Sequence, residues 1–328
     1  MSDRSLHVVP SDLRPPRETG RRHLLSVGDL ERTDVERLLA TAHSFALSQE
    51  RDTKKLPTLR GRLVVNMFFE SSTRTSSSFE LAAKRLSADT MSMKASGSSV
   101  EKGESLKDTA LTLSAYDPDV IVIRHEQIGA PQLVASVTEA HVVNAGDGKH
   151  QHPTQALLDL YTIQASLGRL EGVHVAIVGD VLHSRVARSL IQALRLVGAS
   201  VVLVGPPPLL PAELGEVSYD IDAIKDADIV YVLRMQRERM EEGANYVPTL
   251  REYSARWCIT PERLRPTQKV MHPGPMNRGV EIDPRVADSG AALIVDQVRA
   301  GLVVRMAVLY DLLTTGPVVV ETAVAGVA

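Results

Sequence analysis

The stretch LVVNMFFESSTRTSSSFELAAKRL, residues 63–86, changes its period midway. Leu63 to Phe69 is a short apolar run suited to a buried strand, and Phe79, Ala82, Ala83 and Leu86 then recur at helical spacing. Between them, Ser71-Ser72-Thr73-Arg74-Thr75 leads from the strand directly into the helix. The alternation continues downstream. Strands are expected near Val120–Arg124 and His141–Asn144, with a helix starting at Pro153. Val173–Gly179, Ser200–Gly205, Ile229–Leu233 and Lys269–His272 read as further strands with helical stretches between several of them. Upstream, Thr33 to Leu47 reads as a helix opened by a capping box, Thr33 with Glu36. A last amphipathic helix is expected over Asp296–Leu313, with Val298, Leu302, Val303, Met306 and Tyr310 on its apolar side.

Strands alternating with helices imply an α/β fold of mainly parallel sheets flanked by helices. At 328 residues the chain exceeds one ordinary domain, and two lobes are expected. The first set of elements ends with the helix after Pro153 and the second begins at Val173, which puts the boundary near residues 150–172. The expected division is a first domain over 21–152 and a second over 153–314 that includes the linking helices. Residues 1–20, with arginines among prolines, read as a flexible extension, and 315–328 as an apolar tail.

Composition narrows the function classes. Hydrophobic residues at 44% and charged residues at 23% are the mix of a soluble globular protein. A formal charge of −3 argues against a chain built around nucleic acid. The single cysteine, Cys258, excludes an internal disulfide framework and a multi-cysteine metal site, and fits a reducing cytoplasm. No apolar run approaches the ~20 residues needed to span a bilayer.

Five places at strand ends carry chemistry. At Ser72-Thr73-Arg74-Thr75, backbone N–H groups at a helix start, neighbouring hydroxyls and one guanidinium together describe a phosphate cradle. Ser and Thr are equally good N-caps, so the segment alone leaves both readings open. In NAGDGKHQHPTQALLDL, residues 144–160, Pro153 suits the first helical position and makes His152 the N-cap. The positive helix end there favours a neutral imidazole able to donate to a carbonyl oxygen, and Gln155 lies in the same turn. Zinc at His150 and His152 lacks a third ligand. In VAIVGDVLHSRVARSL, residues 175–190, Val181 and Ser184 stand where a dinucleotide fingerprint needs glycine, leaving Arg185 at a helix start as an anion ligand or a surface ion pair. Arg234 and Gln236 follow the strand Ile229–Leu233, a place for carboxylate recognition or a solvated rim. His272-Pro273-Gly274-Pro275 reads as a rigid turn whose carbonyls can face a ligand.

Taken together, these stretches resemble the carbamoyltransferase family over roughly residues 22–314. The signatures are Ser72-Thr73-Arg74-Thr75, Arg124-His125, His152-Pro153-Thr154-Gln155, the Arg234/Gln236 pair and His272-Pro273-Gly274-Pro275, in that order. Within the family the resemblance is to the aspartate rather than the ornithine branch. Ornithine enzymes typically carry a cysteine in the turn before the last helix, where this chain has His272-Pro273-Gly274-Pro275. Arg185 and Arg234 instead offer two guanidiniums for the two carboxylates of aspartate.

The resemblance implies carbamoyl transfer from carbamoyl phosphate to L-aspartate, giving N-carbamoyl-L-aspartate and phosphate, a step of de novo pyrimidine biosynthesis. It implies that Ser72, Thr73, Arg74 and Thr75 hold the phosphate group and that Thr75, Arg124 and His152 address the carbonyl oxygen. Gln155 would take the carbamoyl nitrogen, with Gly274 and Pro275 completing that half. Arg185, Arg234 and Gln236 would bind aspartate. Ser98 and Lys102 would enter a neighbouring chain's site, making a homotrimer the working unit, open to regulatory or dihydroorotase-type partner chains. No metal or organic cofactor is implied. A non-catalytic relative would show lesions in the cradle or the loop lysine, yet Arg74, Lys102, Arg124, His152 and Arg234 are all present.

Overall fold

The computed structural model describes residues 23–94, 103–236 and 249–314. The first lobe is built on strands β1 (His23–Leu24), β2 (Leu63–Phe68), β3 (Asp89–Lys94), β4 (Val120–His125) and β5 (His141–Asp147). They form one parallel sheet in the order β1-β5-β4-β2-β3. Helices α1 (Arg32–Gln49), α2 (Thr73–Arg85), α3 (Leu106–Ser114) and α4 (Ala130–Val137) belong to this lobe. Val64, Val65, Val120 to Ile123, Val142 and Val143 are fully buried, because a parallel sheet covered on both faces needs continuous apolar strands. Phe79, Ala82, Ala83 and Leu86 all face inward as their spacing requires.

The second lobe repeats the plan. Strands β6 (His174–Val178), β7 (Ser200–Val204), β8 (Glu216–Ser218), β9 (Ile229–Val232) and β10 (Lys269–Met271) form a parallel sheet ordered β10-β9-β6-β7-β8. Its helices are α6 (Arg185–Leu196), α7 (Leu250–Trp257) and the short α8 (Pro284–Ala287). Strands β3 and β8 escape a reading by apolar runs because both lie at sheet edges, where DTMSMK and EVS keep alternate polar residues.

Two helices tie the lobes together. Helix α5 (Pro153–Leu167) leaves the first sheet and packs on α6, and α9 (Ile294–Leu313) returns from β10 to pack on α1, α2 and α5. One apolar cluster runs through both lobes, from Val143 by way of Leu160 and Val304 to Ile177 and Leu190. Helix α9 therefore departs from the expected one-sided pattern. Val303 and Met306 are buried, but so are Ala300, Val304, Arg305, Val308 and Leu309, while Val298 is 55% exposed. A second correction concerns the start of α1. Its capping box is Glu31 with Asp34, and Glu36 instead pairs with Arg32, because the helix begins before Thr33. Among the described residues no helix is long and apolar enough to cross a membrane.

Candidate active site

The carboxyl ends of both sheets open on one cleft of about 970 Å³. Adjacent registry brings Phe68 level with Arg124, so the residues that follow β2 and β4 enter the cleft side by side. The first turns of α2, α5 and α6 also line it, through Ser72 to Thr75, His152 with Gln155, and Ser184 with Arg185. Helix starts carry unsatisfied N–H groups and partial positive charge. Ser72 stands at the N-cap of α2, but its side chain makes no capping hydrogen bond. Capping therefore does not occupy the hydroxyl, which stands at the cleft.

Six arginines line the cleft, Arg74, Arg124, Arg185, Arg234, Arg299 and Arg305, against one carboxylate among the described lining residues, Glu70. Glu70 lies at the centre of the ion pairs. Its Oε1 accepts from Arg124 Nη2 at 2.7 Å, and its Oε2 from Arg185 Nη1 at 2.9 Å. A further Arg185–Glu70 bond makes that pair bidentate, and Arg185 also donates to the Gly148 carbonyl at 2.9 Å. Arg185, from the second lobe, is thus buried against a first-lobe acid. Burial alone would raise the Glu70 pKa, but the hydrogen bonds and charges of Arg185 and Arg124 bring it down to about 2.

Arg74 is held differently. Its Nη2 donates to the Pro273 carbonyl at 3.3 Å, across the cleft, and no carboxylate among the described residues pairs with it. Burial, and then the nearby charge of Arg234, lower its pKa. Arg74 and Arg234 are close enough for the charge of one to be felt by the other, and two neighbouring cations in a cleft favour an anionic ligand.

His152 is 3% exposed at the N-cap of α5, where its backbone N–H donates to Ser189 Oγ at 2.8 Å. Its Nδ1 is buried with no hydrogen-bond partner among the described residues. Burial first, and then the charges of Arg124, Arg305 and Arg185, hold its pKa well below the ordinary value, so the ring is neutral at pH 7. His150 lies apart, its Nδ1 against Asp147 Oδ2 at 3.0 Å, and no group of His, Cys, Asp or Glu among the described residues is suited to hold a metal.

The second lobe supplies Arg234 and Gln236 to the cleft wall, and the Gln236 backbone N–H donates to Asp180 Oδ2 at 3.1 Å. His272, Gly274 and Pro275 stand at the end of β10. The Gly274 N–H donates to His272 Nδ1 at 2.8 Å, and His272 Nε2 meets Glu281 Oε1 at 3.2 Å. The turn is rigid because its own histidine is clamped beneath it.

Known proteins account for this arrangement. The family model for the carbamoyl-P binding domain of aspartate/ornithine carbamoyltransferase matches residues 22–165, and that for the Asp/Orn binding domain matches 171–312. The chain belongs to the aspartate/ornithine carbamoyltransferase family. Among similar sequences, the aspartate carbamoyltransferase catalytic subunit of Salinispora arenicola is 55% identical over 303 residues, spanning 89% of this chain and 98% of its own. That of Acidothermus cellulolyticus is 56% identical over 313 residues, spanning 93% and 95%. Among solved structures, Trypanosoma cruzi aspartate transcarbamoylase in complex with carbamoyl phosphate and aspartate superposes with a TM-score of 0.83 at 31% identity, covering 92% of this chain and 99% of its own. The catalytic subunit of the M. jannaschii enzyme gives 0.79 at 36%, covering 89% and 98%.

The cleft wall holds the residues that the sequence assigns to a carbamoyltransferase site, apart from two. Ser72, Thr73, Arg74, Thr75, Arg124, His152, Gln155, Arg185, Arg234, Gln236, Gly274 and Pro275 all line it. Ser98 and Lys102 lie outside the described residues. Glu70 and Arg305 line the site but have no site reading in the sequence. Glu70 closes the apolar run FFE and looks like a strand end, and Arg305 interrupts the apolar stretch 300–310 of α9, its guanidinium 5.1 Å from the Phe79 ring centroid. Leu302 had been assigned only to a core stripe, yet it lines the cleft. A charged residue in the middle of an eleven-residue apolar stretch is the one available signal for Arg305.

Proposed function

We propose that this chain is the catalytic polypeptide of an aspartate carbamoyltransferase, joining carbamoyl phosphate to the amine of L-aspartate. One observation carries the reading: a cleft between two lobes with six arginines and a single described carboxylate, suited to two anionic substrates at once. Ser72, Thr73, Arg74 and Thr75 take the phosphate group at the start of α2. Helix N–H groups contribute about 0.3–2 kcal/mol to an anion, so Arg74 supplies much of the grip. Thr75, Arg124 and His152 direct hydrogen bonds to the carbonyl oxygen, Gln155 takes the carbamoyl nitrogen, and the Gly274–Pro275 turn closes that half. Arg234 and Gln236 receive aspartate from the second lobe. Arg185 acts there once its carboxylate partner Glu70 is displaced by, or shared with, the incoming substrate.

The amine attacks the carbonyl carbon, its lone pair forming the C–N bond while charge grows on the oxygen. Donors already in place around that oxygen are worth about 2.7–4 kcal/mol each. The C–O bond to phosphate then breaks, and the departing phosphate accepts the amine proton, so no protein base is assigned. Holding two like-charged reactants in line is the main contribution of the protein. The first lobe, residues 21–152, serves carbamoyl phosphate and the second, 153–314, serves aspartate. The working unit is a homotrimer in which Ser98 and Lys102 complete a neighbour's site. The relatives are named catalytic subunits, which supports assembly with further chains.

The test is phosphate release from carbamoyl phosphate with aspartate or ornithine as acceptor, in parallel. Turnover with aspartate and little with ornithine is expected. Faster turnover with ornithine overturns the assignment.

A further inference from the structure

Beneath the cleft lies a buried acid that this mechanism does not use. Asp159 is fully buried on α5, one helical turn after Gln155. Three donors converge on its two oxygens. Gln155 Nε2 reaches Oδ1 at 3.1 Å, Gln297 Nε2 of α9 reaches the same oxygen at 2.7 Å, and the Tyr231 hydroxyl of β9 reaches Oδ2 at 2.7 Å. Gln297 in turn accepts the backbone N–H of His272 at 2.9 Å. The linking helix, the returning helix and strand β9 meet at this one carboxylate, and Gln297 connects it to the residue that follows β10.

A side-chain amide has two ends, and nothing in its shape decides which end faces a ligand. An ionised carboxylate decides it, because it only accepts. Asp159 draws the NH2 of Gln155 inward, which leaves the Gln155 carbonyl oxygen for the cleft that this residue lines. Burial pushes the Asp159 pKa up, to about 7, while the bonds from Gln297, Tyr231 and Gln155 pull it down. At pH 8 the carboxylate form prevails.

We propose that Asp159 is a positioning residue that fixes the orientation of the Gln155 amide, so that the site demands an N–H donor on the group being transferred. The transferred group of carbamoyl phosphate has such a donor, its NH2. An acyl phosphate with a methyl in that place makes the same phosphate contacts but leaves the Gln155 oxygen facing carbon. A site built around a buried acceptor rejects a ligand that cannot donate to it. Through Gln297, the same carboxylate holds the His272 end of the turn that completes the phosphate half. The inference rests on the proposed role of Gln155 at the carbamoyl nitrogen.

The experiment compares carbamoyl phosphate with acetyl phosphate at pH 8, as the KM of the first and the competitive inhibition constant of the second. Their ratio isolates the NH2 group. In Asp159→Ala the preference for carbamoyl phosphate falls on the order of tenfold. Gln155→Ala shows the same fall, and the double variant loses no further preference, since one residue acts through the other. Thermal melts show whether each variant folds. If Asp159→Ala has no cooperative melt, Asp159→Asn gives the answer. Its amide can offer Gln155 either an oxygen or an NH2, and the preference drops at least about threefold by the same reasoning. An Asp159 variant that weakens both ligands equally, or leaves the ratio unchanged while Gln155→Ala lowers it, overturns the inference alone. An unchanged ratio in Gln155→Ala overturns the reading of Gln155 on which it rests.

Discussion

Arg74 and Gly274 meet across the cleft: a Cβ on Gly274 would stand 2.8 Å from the Arg74 guanidinium carbon. One residue lies in the first turn of α2 in the first lobe and the other follows β10 in the second, so the arginine proposed to hold phosphate is packed against a turn of the opposite lobe. Gly274 also holds φ at +61°, a conformation costly for other residues. Gly274→Ala should therefore push the guanidinium out of place while the fold survives. A misplacement of about 1 Å can cost on the order of 100-fold in rate. We expect kcat/KM for carbamoyl phosphate to fall about 10- to 100-fold, with a cooperative melt retained. Steady-state kinetics at near wild-type level would show that Arg74 does not need this contact.

His152→Ala should act mainly on kcat. The ring is neutral and its Nδ1 has no partner among the described residues, so it is free to serve a charge that appears during the reaction. Loss of a donor to a developing oxyanion costs about 100- to 1,000-fold in kcat. Varying carbamoyl phosphate at saturating aspartate checks this. A raised KM with kcat intact would mean that the ring serves only the ground state.

Glu70→Gln should change how stability responds to acid. The Glu70 pKa in the fold is about 2 against an ordinary 4.5, so in that interval the unfolded chain binds the proton that the folded chain refuses. Its contribution is fully present above about pH 4.5 and lost as the pH falls toward 2. Urea melts should find the variant less stable than the parent at pH 7, with the gap closing over that window. A gap that stays constant with pH would mean that the carboxylate charge is not what joins Arg124 to Arg185.

Arg234→Ala should raise the KM for aspartate at least about tenfold, and that for carbamoyl phosphate much less. Arg234 belongs to the second lobe, and its charge reaches Arg74 as a lowered pKa rather than as a bond. Equal damage to both substrates would assign Arg234 to the framework of the cleft.

The parts of this site that could be read in the sequence share one property: each is a short polar segment at the end of an apolar run. Arg74, Arg124, His152 and Arg234 all stand within a few residues of a strand end, where an α/β fold presents its ligands. What stayed hidden is what the chain assembles from afar. Glu70 meets Arg185 across 115 positions, and Asp159 meets Gln297 across 138. No local period announces such pairs, and a carboxylate one helical turn after a glutamine looks like any polar residue on a helix. Strand β3 was missed for another reason, since an edge strand need not be apolar.

The proposed sharing of sites between chains admits a direct test. Ser98 and Lys102 lie outside the described residues, and their place in a neighbour's cleft rests on the family resemblance. Arg74→Ala and Lys102→Ala homotrimers should each be nearly inactive. Unfolded, mixed and reassembled, they should recover activity, because a cleft with Arg74 from the second variant and Lys102 from the first is whole. In a closed ring where each chain hands its loop to the next, every mixed trimer contains one such cleft, giving about one third of the parent activity per hybrid. Differently charged tags separate hybrids from parents before assay. Purified hybrids with no recovered activity would mean that Lys102 serves its own chain or no cleft at all.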